Sequence, residues 1–546
     1  MDKIKPMLID CMKKYNGKKF VSDLTAGVIV AIIALPLSIA LALASGVSPE
    51  QGIYTAIIAG FVISLLGGSR VQIAGPTAAF ATIVAGIVAK NGFDGLVIAT
   101  VLAGIMLVLM GVFRLGSLIK FIPFTITTGF TAGIAVTIVI GQLKDFFGVA
   151  YPAGMETIET VDKLHAFFAG ISTFNLHALI VGAVCLAVLI IMPKITEKIP
   201  GSLVAVVVGI LMVKFLPLNV DTIGDLYTIS NKLPAFHLPE ISFNSIRIAL
   251  PDAFTIAILA AIESLLSCVV ADGMIGDKHR SNTELVAQGV GNIASALFGG
   301  IPATGAIART AANIKNGGKS PIAGMIHAVV LLLILVVLMP YAGWIPMPTI
   351  AAILFMVAYN MCGWRTFVRV IKTAPKSDIA VLVITFVLTV VFDLVVAIEF
   401  GMLLAVLLFI KRMSDETGVK KWKYAEDNAA ETDRLMNIPR SIRVYEITGP
   451  LFFGASDRVA DIAIRSDTKC LILRMRSVPA LDSTAMNALF DLHARCEKSG
   501  VTLILSHVNH QPLKAMEKAG FVKAVGRENI CKNITEAITL AEQNIK

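Results

Sequence analysis

Apolar runs long enough to cross a bilayer recur between residues 24 and 411, at 24–44, 96–112, 179–192, 253–270, 328–338 with its flanks, and 379–396. A spanning helix needs about 20 predominantly apolar residues. The runs are continuous, where barrel strands would alternate, so helices are implied. Only 16% of the 546 residues are charged, against about 25% in a soluble globular domain. That much apolar sequence has no water-soluble core to hide in. The chain reads as a polytopic α-helical membrane protein.

The net charge of +9 is distributed for a membrane, not for nucleic acid. Lys3, Lys5, Lys13, Lys14, Lys18 and Lys19 precede the first apolar run, which puts the N-terminus in the cytoplasm by the positive-inside rule. That run is too long for a cleavable signal, and no small-residue cleavage site ends it. The seven cysteines are scattered without a CxxC pair, and the eight histidines show no HExxH spacing. A disulfide framework and a zinc site are not expected. No nucleophile elbow or phosphate loop occurs either, so the sequence argues against an enzyme and calls for no cofactor.

Apolar length and Gly/Pro breakers mark segments at 22–45, 50–66, 71–89, 95–113, 118–142, 175–192 and 201–216. A second series lies at 252–271, 284–298, 302–313, 321–340, 343–361, 378–394 and 397–411. Loops on the N-terminal side then carry Arg70, Arg114, Lys194, Lys278, Arg280, Lys315, Lys319, Arg365, Arg369, Lys372 and Lys376. The opposite loops mix Lys90, Lys144, Lys163, Lys214, Lys232 and Arg247 with Asp145, Glu156, Glu159, Asp162, Asp221, Asp225 and Glu240. This asymmetry agrees with the count of seven plus seven. An odd number per half inverts the halves in the membrane, a common transporter design with the site where they meet. The third segment of each half is short and interrupted: Gly75-Pro76-Thr77-Ala78-Ala79 follows Leu66-Gly67-Gly68, and Ile301-Pro302-Ala303-Thr304-Gly305-Ala306 follows Phe298-Gly299-Gly300. Gly and Pro are common in membrane helices generally. Short broken segments at matching positions in both halves are nevertheless the best pointer to a transporter site.

Composition changes abruptly near residue 413. The membrane part is 21–412, with one repeat at about 21–216 and another at about 250–412, after a cytoplasmic segment 1–20. Residues 413–436 read as a linker. Strands at 441–447, 470–475 and 501–506 alternate with helices at 483–498 and 511–519, which indicates a small α/β domain at 437–546. An even number of spans returns it to the cytoplasm.

Glu263 carries the strongest functional signal. Pro251-Asp252 reads as a helix start. Twelve residues further on, Glu263 is about 18 Å along the helix, near the middle of a bilayer about 30 Å thick. An ionisable residue at that depth is a functional candidate, here a carboxyl that takes up and releases a proton. Ser267 lies one turn on along the same face. The competing reading is a structural carboxyl bonded to a neighbouring helix. Arg309 follows Pro302 in the second short segment, and its side chain can lean back toward the helix start. The N–H groups of Gly305 and its neighbours favour an anion there, and the planar guanidinium suits an oxyanion. The competing reading is an arginine snorkelling toward Lys315 and Lys319. Asp393 and Glu399 read as interfacial, and His327 as a packed histidine on an apolar helix.

The same residues carry a resemblance. The run Gly299-Gly300-Ile301-Pro302-Ala303-Thr304-Gly305-Ala306-Ile307-Ala308-Arg309-Thr310-Ala311-Ala312-Asn313 resembles the SulP sulfate-permease family. So do Gly317-Gly318-Lys319-Ser320-Pro321, Ile262-Glu263-Ser264-Leu265-Leu266-Ser267 and Gln72-Ile73-Ala74-Gly75-Pro76-Thr77, and the likeness covers essentially the whole chain. Val478-Pro479-Ala480-Leu481-Asp482-Ser483-Thr484 resembles the signature turn of the family's C-terminal STAS domain.

The resemblance implies fourteen segments as a seven-plus-seven inverted repeat of the uracil-permease type, a core subdomain moving against a gate, and a homodimer. It places the anion between the starts of the third and tenth helices, at Gly75, Pro76, Thr77, Ala78, Thr304, Gly305, Ala306 and Arg309. Glu263 and Ser267 would serve the coupling ion. It implies secondary active transport of a small anion through the inner membrane: sulfate first, with bicarbonate or a C4-dicarboxylate as the other candidates.

Two departures bear on substrate and coupling. Sodium-coupled bicarbonate members carry Asp where Glu263 stands and Thr at Ser267, so protons are expected before sodium. Many sulfate-carrying members have Gln after the proline of Leu35-Pro36-Leu37-Ser38. Asp482-Ser483 resembles the phosphorylated pair of anti-sigma antagonists, which makes Ser483 a candidate regulatory site and a soluble partner of the STAS domain an option. A helix N-cap is the simpler reading of that turn. The open alternatives are an uncoupled anion exchanger or channel, and a membrane sensor signalling through the STAS domain.

Overall fold

The computed structural model describes residues 4–13, 15–117, 123–155, 159–196, 200–240, 242–392, 394–421 and 438–545. The chain divides into two compact units, Met1–Met402 and Leu403–Lys546.

The first unit opens with a short helix α1 (Met7–Met12), then α2 (Gly17–Ala44) and α3 (Pro49–Leu66). A two-residue strand β1 (Ala74–Gly75) leads into α4 (Ala78–Val112), followed by α5 (Phe124–Phe147), α6 (Thr160–Ala169), α7 (Leu176–Ile195), α8 (Gly201–Phe215) and the one-turn α9 (Ile223–Leu226). Then come α10 (Phe243–Ile275), α11 (Ser281–Leu297), a second two-residue strand β2 (Thr304–Gly305) and α12 (Ile307–Lys315). The series ends with α13 (Ile322–Leu338), α14 (Met347–Cys362), α15 (Trp364–Thr373), α16 (Lys376–Val391) and α17 (Leu394–Glu416), whose residues from 403 on are counted in the second unit.

Among the described residues, eight helical stretches are long and apolar enough to cross a membrane: α2, α3, α4, α5, α7, α10, Ile322–Trp344 and Met347–Thr373. Large apolar side chains such as Ile105, Leu109, Ile190, Leu211, Leu333 and Val337 point outward. That arrangement is costly in water and correct in lipid. The protein is a multi-pass membrane protein.

Several expectations shift. The range of α4 holds two helices that meet at Gly92, whose φ of 69° and ψ of −176° are non-helical, so the break expected between 89 and 95 falls at that glycine. Helix α10 begins at Phe243, capped by Ser242, and not at Pro251, which sits inside it. A proline removes only one N–H bond, and membrane helices tolerate that loss. The basic stretch after residue 363, read as a loop, is the helix α15. Asp393 and residues 422–436 of the expected linker lie outside the described residues.

Packing sorts the helices. α2, α3, α4, α10, α11, α12 and α13 pack mainly on one another, and α5, α7, α8, α14 and α16 form a second cluster. Strands β1 and β2 pair antiparallel, Ala74 with Gly305 and Gly75 with Thr304. The two interrupted segments therefore meet head to head inside the first cluster.

The second unit is a five-stranded sheet in the order β3 (Gly418–Lys421), β4 (Ile442–Thr448), β5 (Cys470–Ser477), β6 (Thr502–Ser506) and β7 (Ile530–Cys531). β3 pairs antiparallel with β4, and the remaining pairs are parallel. A one-turn α18 (Asp457–Ala460), α19 (Ser483–Lys498), α20 (His510–Ala519) and α21 (Phe521–Val525) cover one face around Leu471, Leu473, Leu489, Leu503 and Phe521. α22 (Ile534–Ile545) covers the other around Ile472, Ile504, Ile534 and Ile538. Parallel strands buried on both faces read as unbroken apolar runs, which is why 470–475 and 501–506 are visible in the sequence. β3 lies within the stretch read as linker, so the sheet begins ahead of residue 422.

Candidate functional site

Irregular backbone inside a membrane needs protein partners for its N–H and C=O groups. The helices flanking the two short segments supply them. Asn292 of α11 brackets Ala303, donating from Nδ2 to its carbonyl at 2.9 Å and accepting its N–H at 2.8 Å. The Ser295 hydroxyl donates to the Ile301 carbonyl, and the Ile301 N–H donates to Thr55 Oγ1 of α3 at 2.7 Å. On the other segment, Thr310 Oγ1 accepts the Ile73 N–H at 3.1 Å, and Asn313 Nδ2 donates to the Val71 carbonyl at 2.8 Å. This explains the polar composition of α11, a membrane-unit helix carrying Glu284, Gln288, Asn292 and Ser295, all buried.

Glu263 of α10 meets both segments. Its Oε2 accepts hydrogen bonds from Thr77 Oγ1 at 2.9 Å and Thr304 Oγ1 at 3.0 Å. One carboxylate oxygen thus ties together the residue preceding α4 and the strand preceding α12. Ser264, beside it, accepts the Gly305 N–H at 3.1 Å.

Arg309 is 1% exposed and stands in the first turn of α12. It does not snorkel. Its Nη2 donates to the Pro76 carbonyl at 3.2 Å and to Ser38 Oγ of α2 at 3.4 Å. Its Nε and Nη1 have no hydrogen-bond partner. A Cβ on Gly75 would stand 2.5 Å from Nη1, so the guanidinium lies directly over a glycine backbone. A buried cation with open donors is an electrostatic invitation to an anion.

The residues expected at the anion site are brought together, with two differences from that expectation. The Gly305 and Ala306 N–H groups are already engaged, by Ser264 Oγ and the Ile73 carbonyl. The first-turn amides without a bond among the described residues belong to Ala78 and Ala79 on α4 and to Ile307, Ala308 and Arg309 on α12. Ser267 faces Thr310 at 3.4 Å and is not hydrogen-bonded to Glu263. The reason is geometric: β2 occupies the turn of space beside Glu263, and α12 occupies the next. Ser483 lies in the second unit, exposed at the first residue of α19, where Asp482 is the N-cap, accepting from the Ala485 N–H at 2.8 Å.

The sequence reading missed Glu284. It is 1% exposed and accepts from the Gly68 N–H, the Gln72 amide and the Gln288 amide at 2.9, 2.9 and 2.8 Å. Gln72 in turn packs where a Cβ of Gly305 would be. A buried carboxylate so fully bonded positions the first short segment. The signal was present as an acidic residue in a membrane segment, but Glu284 was the first residue of the segment drawn at 284–298, where a charge is unremarkable.

Residues 20–385 match the sulfate permease family, and residues 434–537 match the STAS domain. The chain belongs to the sulfate permease family. Among this family's members, it is 40% identical to YvdB of Bacillus subtilis (strain 168), a proposed sulfate transporter, over 95% of this chain and 97% of that one. It is 31% identical to the bicarbonate transporter BicA of Picosynechococcus sp., over 87% and 86% of the two chains. The transmembrane domain of a cyanobacterial BicA superposes with a TM-score of 0.62 at 30% identity, over 72% of this chain and 99% of that one. The murine Solute Carrier 26 family member A9 anion transporter, in its inward-facing state, shares the fold at a TM-score of 0.89 and 19% identity, over 98% and 94%.

Proposed function

We propose that this sulfate permease family protein carries a small anion across the membrane by secondary active transport, with sulfate the first candidate and protons the coupling ion. Anion transport is the common ground of its sulfate- and bicarbonate-transporting relatives. The observation that carries the reading is the buried Arg309, with Nε and Nη1 open between two helix starts. Its donor fork suits an oxyanion, and the N-terminal dipoles of α4 and α12 add to the attraction.

Glu263 is the proposed proton carrier. A proton on its carboxyl removes a negative charge from the neighbourhood of the anion. The anion and the proton then bind together and leave together. The inverted seven-plus-seven arrangement supplies alternating access, one helix cluster moving against the other. The N-terminus and the STAS unit are proposed to lie in the cytoplasm, the spans in the inner membrane, and the assembly to be a homodimer. Bicarbonate and C4-dicarboxylates are the competing substrates.

The test is uptake into liposomes of sulfate, bicarbonate, fumarate and chloride, each with and without proton and sodium gradients. Sulfate accumulation driven by an inward proton gradient is expected. Glu263→Gln keeps both threonine contacts and should reconstitute normally while losing gradient-driven accumulation. Full proton-driven uptake by Glu263→Gln would remove the coupling role from this residue. Flux that ignores both gradients would make the protein an exchanger or channel.

A further inference from the structure

Helix α15 takes no part in the site above, and it presents three different faces. Successive residues turn by about 100°. Phe367 and Val370 share one side, where Val370 is buried and the Phe367 ring meets Phe386 of α16 at 5.4 Å between centroids. Trp364, Val368 and Ile371 share a second side and remain 47%, 39% and 40% exposed. Arg365, Arg369 and Lys372 share the third and are exposed, with Lys376 just past the helix end. No acidic residue occurs between 361 and 377. None of these four cations has an ion pair among the described residues.

In water, an apolar sector of Trp, Val and Ile is unfavourably exposed, and the cations beside it repel one another with no anion between them. At a membrane surface both sectors are satisfied. An amphipathic helix there sinks its apolar side about 5–10 Å into the boundary between headgroups and acyl chains and leaves its cations among the headgroups. α15 joins α14 to α16 and so runs where the membrane-unit chain turns round.

We propose that α15 is a docking surface for anionic phospholipid, with acyl chains against Trp364, Val368 and Ile371 and headgroup phosphates on Arg365, Arg369 and Lys372. The apolar sector beside the cations selects a lipid over dissolved phosphate. Arg365 stands over the Trp364 ring, 5.5 Å from its centroid, which holds a bidentate phosphate donor at headgroup level. Because α14 and α16 both pack on α5, the bound lipid fixes the depth of that helix cluster.

The experiment uses the full-length protein in nanodiscs of phosphatidylcholine with phosphatidylglycerol. Retained lipid is counted by native mass spectrometry. Each Lys or Arg near an anionic surface strengthens association about fivefold. The variant Arg365→Gln/Arg369→Gln/Lys372→Gln should therefore lose at least fivefold of the preference for phosphatidylglycerol. An unchanged preference overturns the proposal. A second measurement holds even if that variant fails to fold. In a Cys362→Ser background, nitroxides are attached through Val368→Cys or Arg369→Cys. The label at 368 should be shielded from a water-soluble relaxant and open to oxygen, and the label at 369 should sit shallower. Equal aqueous exposure of both overturns the proposal.

Discussion

Arg309 and Glu263 are both buried ionisable groups, yet they are not paired with each other by any hydrogen bond or ion pair. Glu263 is bonded to Thr77 and Thr304, and Arg309 to Pro76 and Ser38. Leaving two nitrogens of a buried guanidinium unbonded is costly unless an anion or water answers them. Arg309→Lys tests this residue. Lysine keeps the charge but is a point donor, unable to hold Pro76, Ser38 and a substrate together. A charge-assisted hydrogen bond contributes about 1.5–3 kcal/mol, so the concentration for half-maximal uptake should rise roughly ten- to a hundredfold. Initial-rate uptake of labelled anion measures it. At this scale the sequence was informative because an isolated charge in an apolar run is conspicuous. It was silent on Glu284, which stood at the very start of its segment, where a charge is not conspicuous.

At the scale of elements, the interrupted helices are the device on which the site depends. Each begins inside the unit and not at its surface, so its first-turn amides face the interior. Gly92 ends the first of them. Its φ of 69° with ψ of −176° belongs to a region essentially reserved for glycine. A Cβ there would meet nothing within 4 Å, so Gly92→Ala isolates the backbone cost. The expected loss of stability is about 1–3 kcal/mol, read as a lower thermal midpoint in detergent, with substrate affinity unchanged. Gly and Pro marked the short segments in the sequence. The pairing of β1 with β2 could not be seen there, because two residues of strand leave no periodic signature. The start of α10 was misplaced for a related reason: proline is usually a boundary, and only tertiary support lets it sit inside a helix.

For the whole molecule, the second unit has its own apolar core on both faces of its sheet, and its first strand lies within the stretch read as linker. Thr417 is fully buried and its hydroxyl donates to the Pro450 carbonyl at 3.0 Å. Val419 packs against the main core of the sheet. A fragment of residues 417–546 should therefore be more stable to urea than a fragment of residues 437–546. The difference should be about 1–2 kcal/mol, somewhat less than full burial of a valine side chain. Equal stability of the two fragments would show that β3 contributes nothing.

The sequence by itself determined the membrane class, the two-part organisation and the two broken segments, and it singled out Glu263 and Arg309 as candidates. Each of these follows from local quantities: run length, charge position, and Gly or Pro within an apolar stretch. Only the tertiary structure decided which groups meet. Thr77 and Thr304 share one carboxylate oxygen, Arg309 crosses to the Pro76 carbonyl, Gly305 gives its N–H to Ser264, and Ser267 turns to Thr310. Those contacts join residues far apart in the chain. They arise because every buried polar group of two non-helical segments had to find a partner where no water is available.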